Sequence, residues 1–162
     1  FLPALQSKVL AKGHEDILRG VDPVELRWST AIEEILARNP GVPMTIWCDE
    51  ETPLIWPEVL QAVSGHAPGT DLVDNDEVLA MIMSDIGLAR MRTYIAEHPP
   101  ESVAQRRRVA TAFLERFARA DRVEVEVDMP GWTHEVVAEM THRYLEDVEY
   151  IRQMPGVTLI EA

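Results

Sequence analysis

Apolar positions recur at helical spacing along most of this chain. Phe1 to Lys12 reads as a helix, with Leu2, Leu5, Val9 and Leu10 near one face and Gly13 as its stop. His14 to Arg19 follows as a short turn closed by Gly20. Asp22-Pro23-Val24-Glu25 is a start signal. Asp22 can accept from unpaired amides, Pro23 suits the first helical position, and Glu25 can close a capping box. The stripe Val24, Trp28, Ala31, Ile32, Ile35 and Leu36 carries that helix to Asn39-Pro40-Gly41. A β run then spans Val42 to Cys48, and Thr52-Pro53 opens a helix that ends at Gly65. Pro57 lies within the first turn of that helix or at its start, because an interior proline lacks the N–H a helix needs.

Beyond residue 76 the pattern is almost entirely helical. Asp76 to Met83 is an apolar turn or two. Ser84 can cap a helix carrying Ile86, Leu88, Met91, Tyr94 and Ile95 that stops at His98-Pro99-Pro100. Ser102 can cap the next, with Val103, Val109, Ala110, Phe113, Leu114 and Phe117 facing inward. Val123 to Val127 alternates and favours a strand, although its glutamates also suit a frayed helical continuation. Pro130-Gly131 is a turn. Thr133 can cap the last long helix, whose stripe is Val137, Met140, Tyr144, Val148 and Ile151. Pro155-Gly156 ends it, and Val157 to Ile160 is a short final strand candidate.

The expected fold is mainly α with a minor β component, about six or seven helices and one to three short strands. Residues 1–162 form a single domain or domain fragment. Residues 1–65 are its α/β element, around strand 42–48, and residues 76–162 its helical region. A strand needs partners for its amides and carbonyls, and only one strand is strongly marked. Its partners come from sequence before Phe1, from another chain, or from the two weaker strand candidates. The start at Phe1 rather than Met makes a fragment the expectation.

Composition narrows the functions. The 162 residues include 15 Lys+Arg against 28 Asp+Glu, a formal net charge of −13. That argues against nucleic acid and anionic lipid, both of which select basic surfaces. No run of 18 apolar residues is present, so no membrane-spanning helix is expected. The single cysteine, Cys48, lies in an apolar run beside three carboxylates, which reads as a packed thiol rather than a nucleophile. A lone thiol suits a reducing compartment, and a cytoplasmic location is the expectation.

Three groups of residues could carry chemistry. Asp49, Glu50 and Glu51 follow the strand directly, where ligands bind in open α/β sheets. They suit a general base or a carboxylate pair for a metal, or else the dipole of the helix opening at Thr52. Glu139 and His142 share a helix face at the i, i+3 spacing of di-metal carboxylate bundles, but no second such motif occurs and a solvated face is expected. Trp47 and Trp56 flank the acidic run and can wall a pocket or pack in the core. Arg106, Arg107 and Arg108 point in three directions and read as solvated. Ser29, Ser64, Ser84 and Ser102 have no evident partner base. Phosphate loops, a serine elbow and a zinc-protease motif do not occur.

The run Met44-Thr45-Ile46-Trp47-Cys48-Asp49-Glu50-Glu51-Thr52-Pro53-Leu54-Ile55-Trp56-Pro57-Glu58-Val59-Leu60 resembles a known group. So do His98-Pro99-Pro100 with Gln105-Arg106-Arg107-Arg108, and Pro130-Gly131-Trp132-Thr133 with Pro155-Gly156-Val157. Together they look like the C-terminal part of bacterial proteins related to the sulfotransferases. The resemblance implies the helix-rich C-terminal portion of an α/β, sulfotransferase-like fold. Nothing here matches that family's 5′-phosphosulfate loop or its 3′-phosphate contacts, so no catalytic or cofactor residue carries over. A phosphosulfate nucleotide is implied only for an active intact protein, and this chain by itself is expected to be inactive.

Three readings follow. The first is a chain that completes a sheet and covers a substrate cleft, with a preceding segment or another chain as partner and self-association at the open edge as a further expectation. The second is an acidic, mainly helical interaction module without catalysis, suited to a basic partner. The third is an independent enzyme built on Asp49 to Glu51 or on Glu139 and His142.

Overall fold

The computed structural model describes residues 22–67, 70, 72, 75–123 and 132–162. Within them lie seven α-helices and two strands, so the protein is mainly α with a minor β component. The helices are α1 (Trp28–Arg38), α2 (Thr52–Ser64), α3 (Glu77–Ile82), α4 (Asp85–Glu97), α5 (Val103–Phe117), α6 (Ala120–Val123) and α7 (His134–Arg152). Strand β1 (Met44–Trp47) pairs in parallel with β2 (Val157–Ile160) as a two-stranded sheet. The Met44 amide enters the pairing by donating to the Gly156 carbonyl at 2.9 Å. The weaker C-terminal strand candidate therefore supplies the missing partner. The expected helix over 1–12, the turn over 14–19 and the strand over 124–127 lie outside the described residues, and Val123 closes α6.

Two compact units share the described chain. One holds residues 22–44 and 132–158; the other holds 45–123 and 159–162. The division passes through both strands.

In the first unit the start signal behaves differently from its reading. The Asp22 carboxylate does accept from the Val24 amide at 3.0 Å, but it opens only a 3-10 turn at Pro23–Glu25. Leu26 and Arg27 are extended, and α1 begins at Trp28. Its buried face is Ser29 and Ile32, with Leu36 half-buried, while Trp28 and Ile35 are 67% and 49% exposed. The expected stripe is thus rotated, because α1 is anchored through Ser29 to Asp147 of α7. On α7, Asp147 and Ile151 are buried and Val137 of the expected stripe is exposed.

The second unit has an apolar core of Leu79, Met83, Leu88, Met91 and Ala110, with Phe113, Leu114 and Phe117 packed against it. Caps behave as expected. The hydroxyls of Ser84 and Ser102 accept from the Gly87 and Gln105 amides at 3.3 and 3.2 Å, and in the first unit Thr133 accepts from Val136 at 3.4 Å. Backbone bonds tie the end of α3 to the end of α5: Ser84 N–H to the Phe117 carbonyl at 2.9 Å, Arg119 N–H to the Ile82 carbonyl at 2.7 Å. They press α4 so close to α5 that a Cβ on Gly87 would overlap the Phe117 side chain.

Pro57 corrects a further expectation. It sits inside α2, past the first turn. The helix forgoes one bond to the Pro53 carbonyl and is held instead by Ile55 and Val59, at 0% and 2% exposure. The strand is shorter than its apolar run because Gly41, at φ +80°, turns the chain and Pro43 has no donor for a ladder.

Candidate functional site

The end of β1 is where sequence reasoning places chemistry. Asp49, Glu50 and Glu51 form one 3-10 turn between β1 and α2. Asp49 accepts from the Thr52 hydroxyl at 3.4 Å. Glu51, half-buried, accepts from the Ala162 amide at 3.1 Å, which ties the segment after β1 to the segment after β2. The three carboxylates lead directly into the N-terminus of α2, the position favoured by the helix dipole. Trp47 and Trp56 are both half-buried. They line neither the cleft beside Arg107 nor the groove along α4 and α5.

Glu139 and His142 are not brought together as ligands. The Glu139 carboxylate takes the Arg143 Nε at 2.8 Å, and His142 Nε2 lies 3.4 Å from Glu146. Glu139 and Glu146 together raise the Arg143 pKa above its ordinary value, first through the hydrogen bond to Glu139. Among the described residues no group of three His, Cys, Asp or Glu side chains is arranged to hold a metal ion.

Two serines have partners the sequence did not reveal. Ser29 donates its hydroxyl to Asp147 Oδ1, while Asp147 Oδ2 accepts from the amides of Trp28 at 2.7 Å and Ser29 at 3.1 Å. One buried carboxylate thereby caps a helix 119 residues away. It acts as an anchor, with no imidazole in the set to make Ser29 a nucleophile. Ser64 Oγ lies 2.6 Å from His66 Nδ1 and 2.8 Å from the Leu60 carbonyl. The hydroxyl has one proton; given to Leu60, it leaves Ser64 accepting from His66, the reverse of base activation.

The arginine triplet also departs from its reading. Arg106 meets Asp76 at 2.8 Å and Arg107 meets Glu58 at 3.2 Å, all four side chains being about four-fifths buried. Arg92 joins Asp76 from α4 at 3.4 Å. Such partners come from α2 and from the turn before α3, so no local spacing shows them. Beside Arg107 opens a cleft of about 430 Å³, lined by Leu54, Ala104, Arg107, Arg108, Thr111 and Ala162. A second, of about 470 Å³, runs along α4 and α5 past Tyr94, Phe113 and Phe117.

The sheet is the remaining feature. In a parallel pair each strand points half of its amides and carbonyls toward its neighbour and half toward its outer edge. Among the described residues no third strand meets either outer edge. Residues of β1 and β2 are half-buried or exposed, never fully buried. Val42, just before β1, is 59% exposed. Among the described residues no helix is long and apolar enough to cross a membrane. No family model matches the chain, and neither does any curated protein or solved structure.

Proposed function

We propose that this chain is a non-catalytic, sheet-completing unit of a larger sulfotransferase-like α/β assembly, working in a reducing cytoplasm. Strands β1 and β2 take further strands along their outer edges, from another chain or from further sequence of the same protein. The helices then cover a substrate cleft in the finished assembly, and any group transfer belongs to that assembly. The observation that carries this reading is the two-stranded parallel sheet with no third strand among the described residues. Parallel strands normally lie inside larger sheets covered on both faces, and two strands alone are marginal in water.

The test is amide exchange at Thr45–Trp47 and Thr158–Ile160, in residues 1–162 alone and in the natural full-length product or complex. Protection at least tenfold higher in the larger species is expected. Equal, fast exchange in both would remove the proposal, as would full protection in a monomer of residues 1–162. In that second case the acidic helical interaction module takes its place, with salt-sensitive binding of a basic partner as its signature.

A further inference from the structure

The groove between α4 and α5 brings aromatic rings and arginines together. Its floor is aromatic: Tyr94 and Phe113 have ring centres 5.9 Å apart, and Phe113 and Phe117 6.0 Å apart. At the Phe117 end stand two guanidiniums, Arg90 from α4 and Arg116 from α5, at 5.7 and 5.8 Å from the Phe117 ring centre. Some arginines of the same unit are matched to acids, as Arg92 and Arg106 are to Asp76 and Arg107 is to Glu58. Among the described residues Arg90 and Arg116 have no carboxylate within ion-pair distance; their contacts are to the ring.

In a chain of net charge −13, two unneutralised guanidiniums converging on one ring form a local positive site. Arginine also combines charge with a flat face that tolerates aromatic neighbours. The opposite end of the groove carries Glu97. Seven residues of helix separate it from Arg90, about 10 Å along the axis. That carboxylate repels a second negative charge and accepts from a donor. The groove has a volume of about 470 Å³ and is open to solvent along its length, so a ligand lies on it rather than inside it.

We infer that this groove binds a small planar aromatic carboxylate with an N–H or similar donor on its ring. The ring lies against Tyr94, Phe113 and Phe117, the carboxylate is taken by Arg90 and Arg116, and the donor is directed toward Glu97. A carboxylate without a ring loses the floor, and a neutral ring loses the arginines, so both parts are needed. The site is independent of the sheet edges.

The probe is indole-3-acetate, titrated into the isotope-labelled protein and followed by NMR, with its methyl ester and plain acetate as controls. Saturable shifts confined to α4 and α5 are expected, with the ester and acetate at least tenfold weaker. Arg90→Gln with Arg116→Gln should weaken the acid at least tenfold and leave the ester unchanged. Retained thermal unfolding and amide protection in α4 and α5 would show that the variant is folded. Absence of saturable shifts in the groove overturns the inference. So does equal binding of acid and ester, or undiminished binding by the folded double variant, which would leave the arginines as covers for Phe117.

Discussion

The two units join helices by opposite means. In one, α1 meets α7 through a buried carboxylate, Asp147, which accepts from two backbone amides and a hydroxyl at the start of α1. A second bridge, from the Tyr150 hydroxyl to Glu33 at 2.8 Å, raises the Tyr150 pKa above its usual value. In the other, α4 meets α5 through methionine, leucine and phenylalanine, with Gly87 stripped of a side chain so that Phe117 can approach. The first contact is specified by hydrogen bonds and tolerates an exposed Trp28 on the same helix. The second is specified by shape. Polar anchoring fixes which residues meet, whereas apolar packing supplies most of the free energy and is sensitive to single methyl groups.

That contrast can be attacked at four points. Met91 is fully buried, and Met91→Ala should remove about 3 kcal/mol of stability through lost burial and a residual cavity. Chemical denaturation reads the total, and amide exchange should show the loss in α4 and α5 rather than α1. Next comes Gly87→Ala, which places a carbon on Phe117 and should cost about 2–3 kcal/mol by overpacking. A neutral outcome would mean that the α4–α5 approach is looser than described.

Asp147→Ala should cost about 2 kcal/mol, because the amides of Trp28 and Ser29 lose their acceptor in a buried place. Here exchange should accelerate at the first turn of α1 and leave α4 untouched. Asp147→Asn, which keeps one oxygen, should recover part of the loss. If the alanine variant were as stable as the parent, the polar unit would owe its form to packing after all.

The smallest effect is electrostatic. Glu135 has its pKa lowered, first by its own backbone N–H and then by the Thr133 hydroxyl. A lowered folded-state value means the contribution is present above the ordinary glutamate range and fades as pH falls through the folded value. An NMR titration should find Glu135 below an ordinary glutamate, and Thr133→Ala should move it part of the way back.

Several local signals are legible because the structure they mark is closed by residues three or four apart. Ser84, Ser102 and Thr133 cap the helices their positions mark, and Gly65 ends α2 in the left-handed conformation at φ +68°. The second strand was visible as a weak apolar run after Pro155-Gly156. The same reasoning failed at Asp22, because a cap is only as good as the turn it starts, and the stronger acceptor for α1 stands in α7. It failed at Arg106 and Arg107, whose solvated appearance holds only until Asp76 and Glu58 are folded against them. Of the residues marked for chemistry, Asp49 to Glu51 do stand at the end of a strand, while Glu139 and His142 turn to Arg143 and Glu146.

Helical character and capped ends are written into the chain itself, since they follow from periodicity and from hydrogen bonds between near neighbours, and the net charge of −13 follows from a count of residues. The pairing of β1 with β2, the anchoring of α1 by Asp147 and the approach of Arg90 to the Phe117 ring came only with the folded chain. Those contacts join positions far apart along the chain, and their energy exists only once folding has met the entropy of bringing them together.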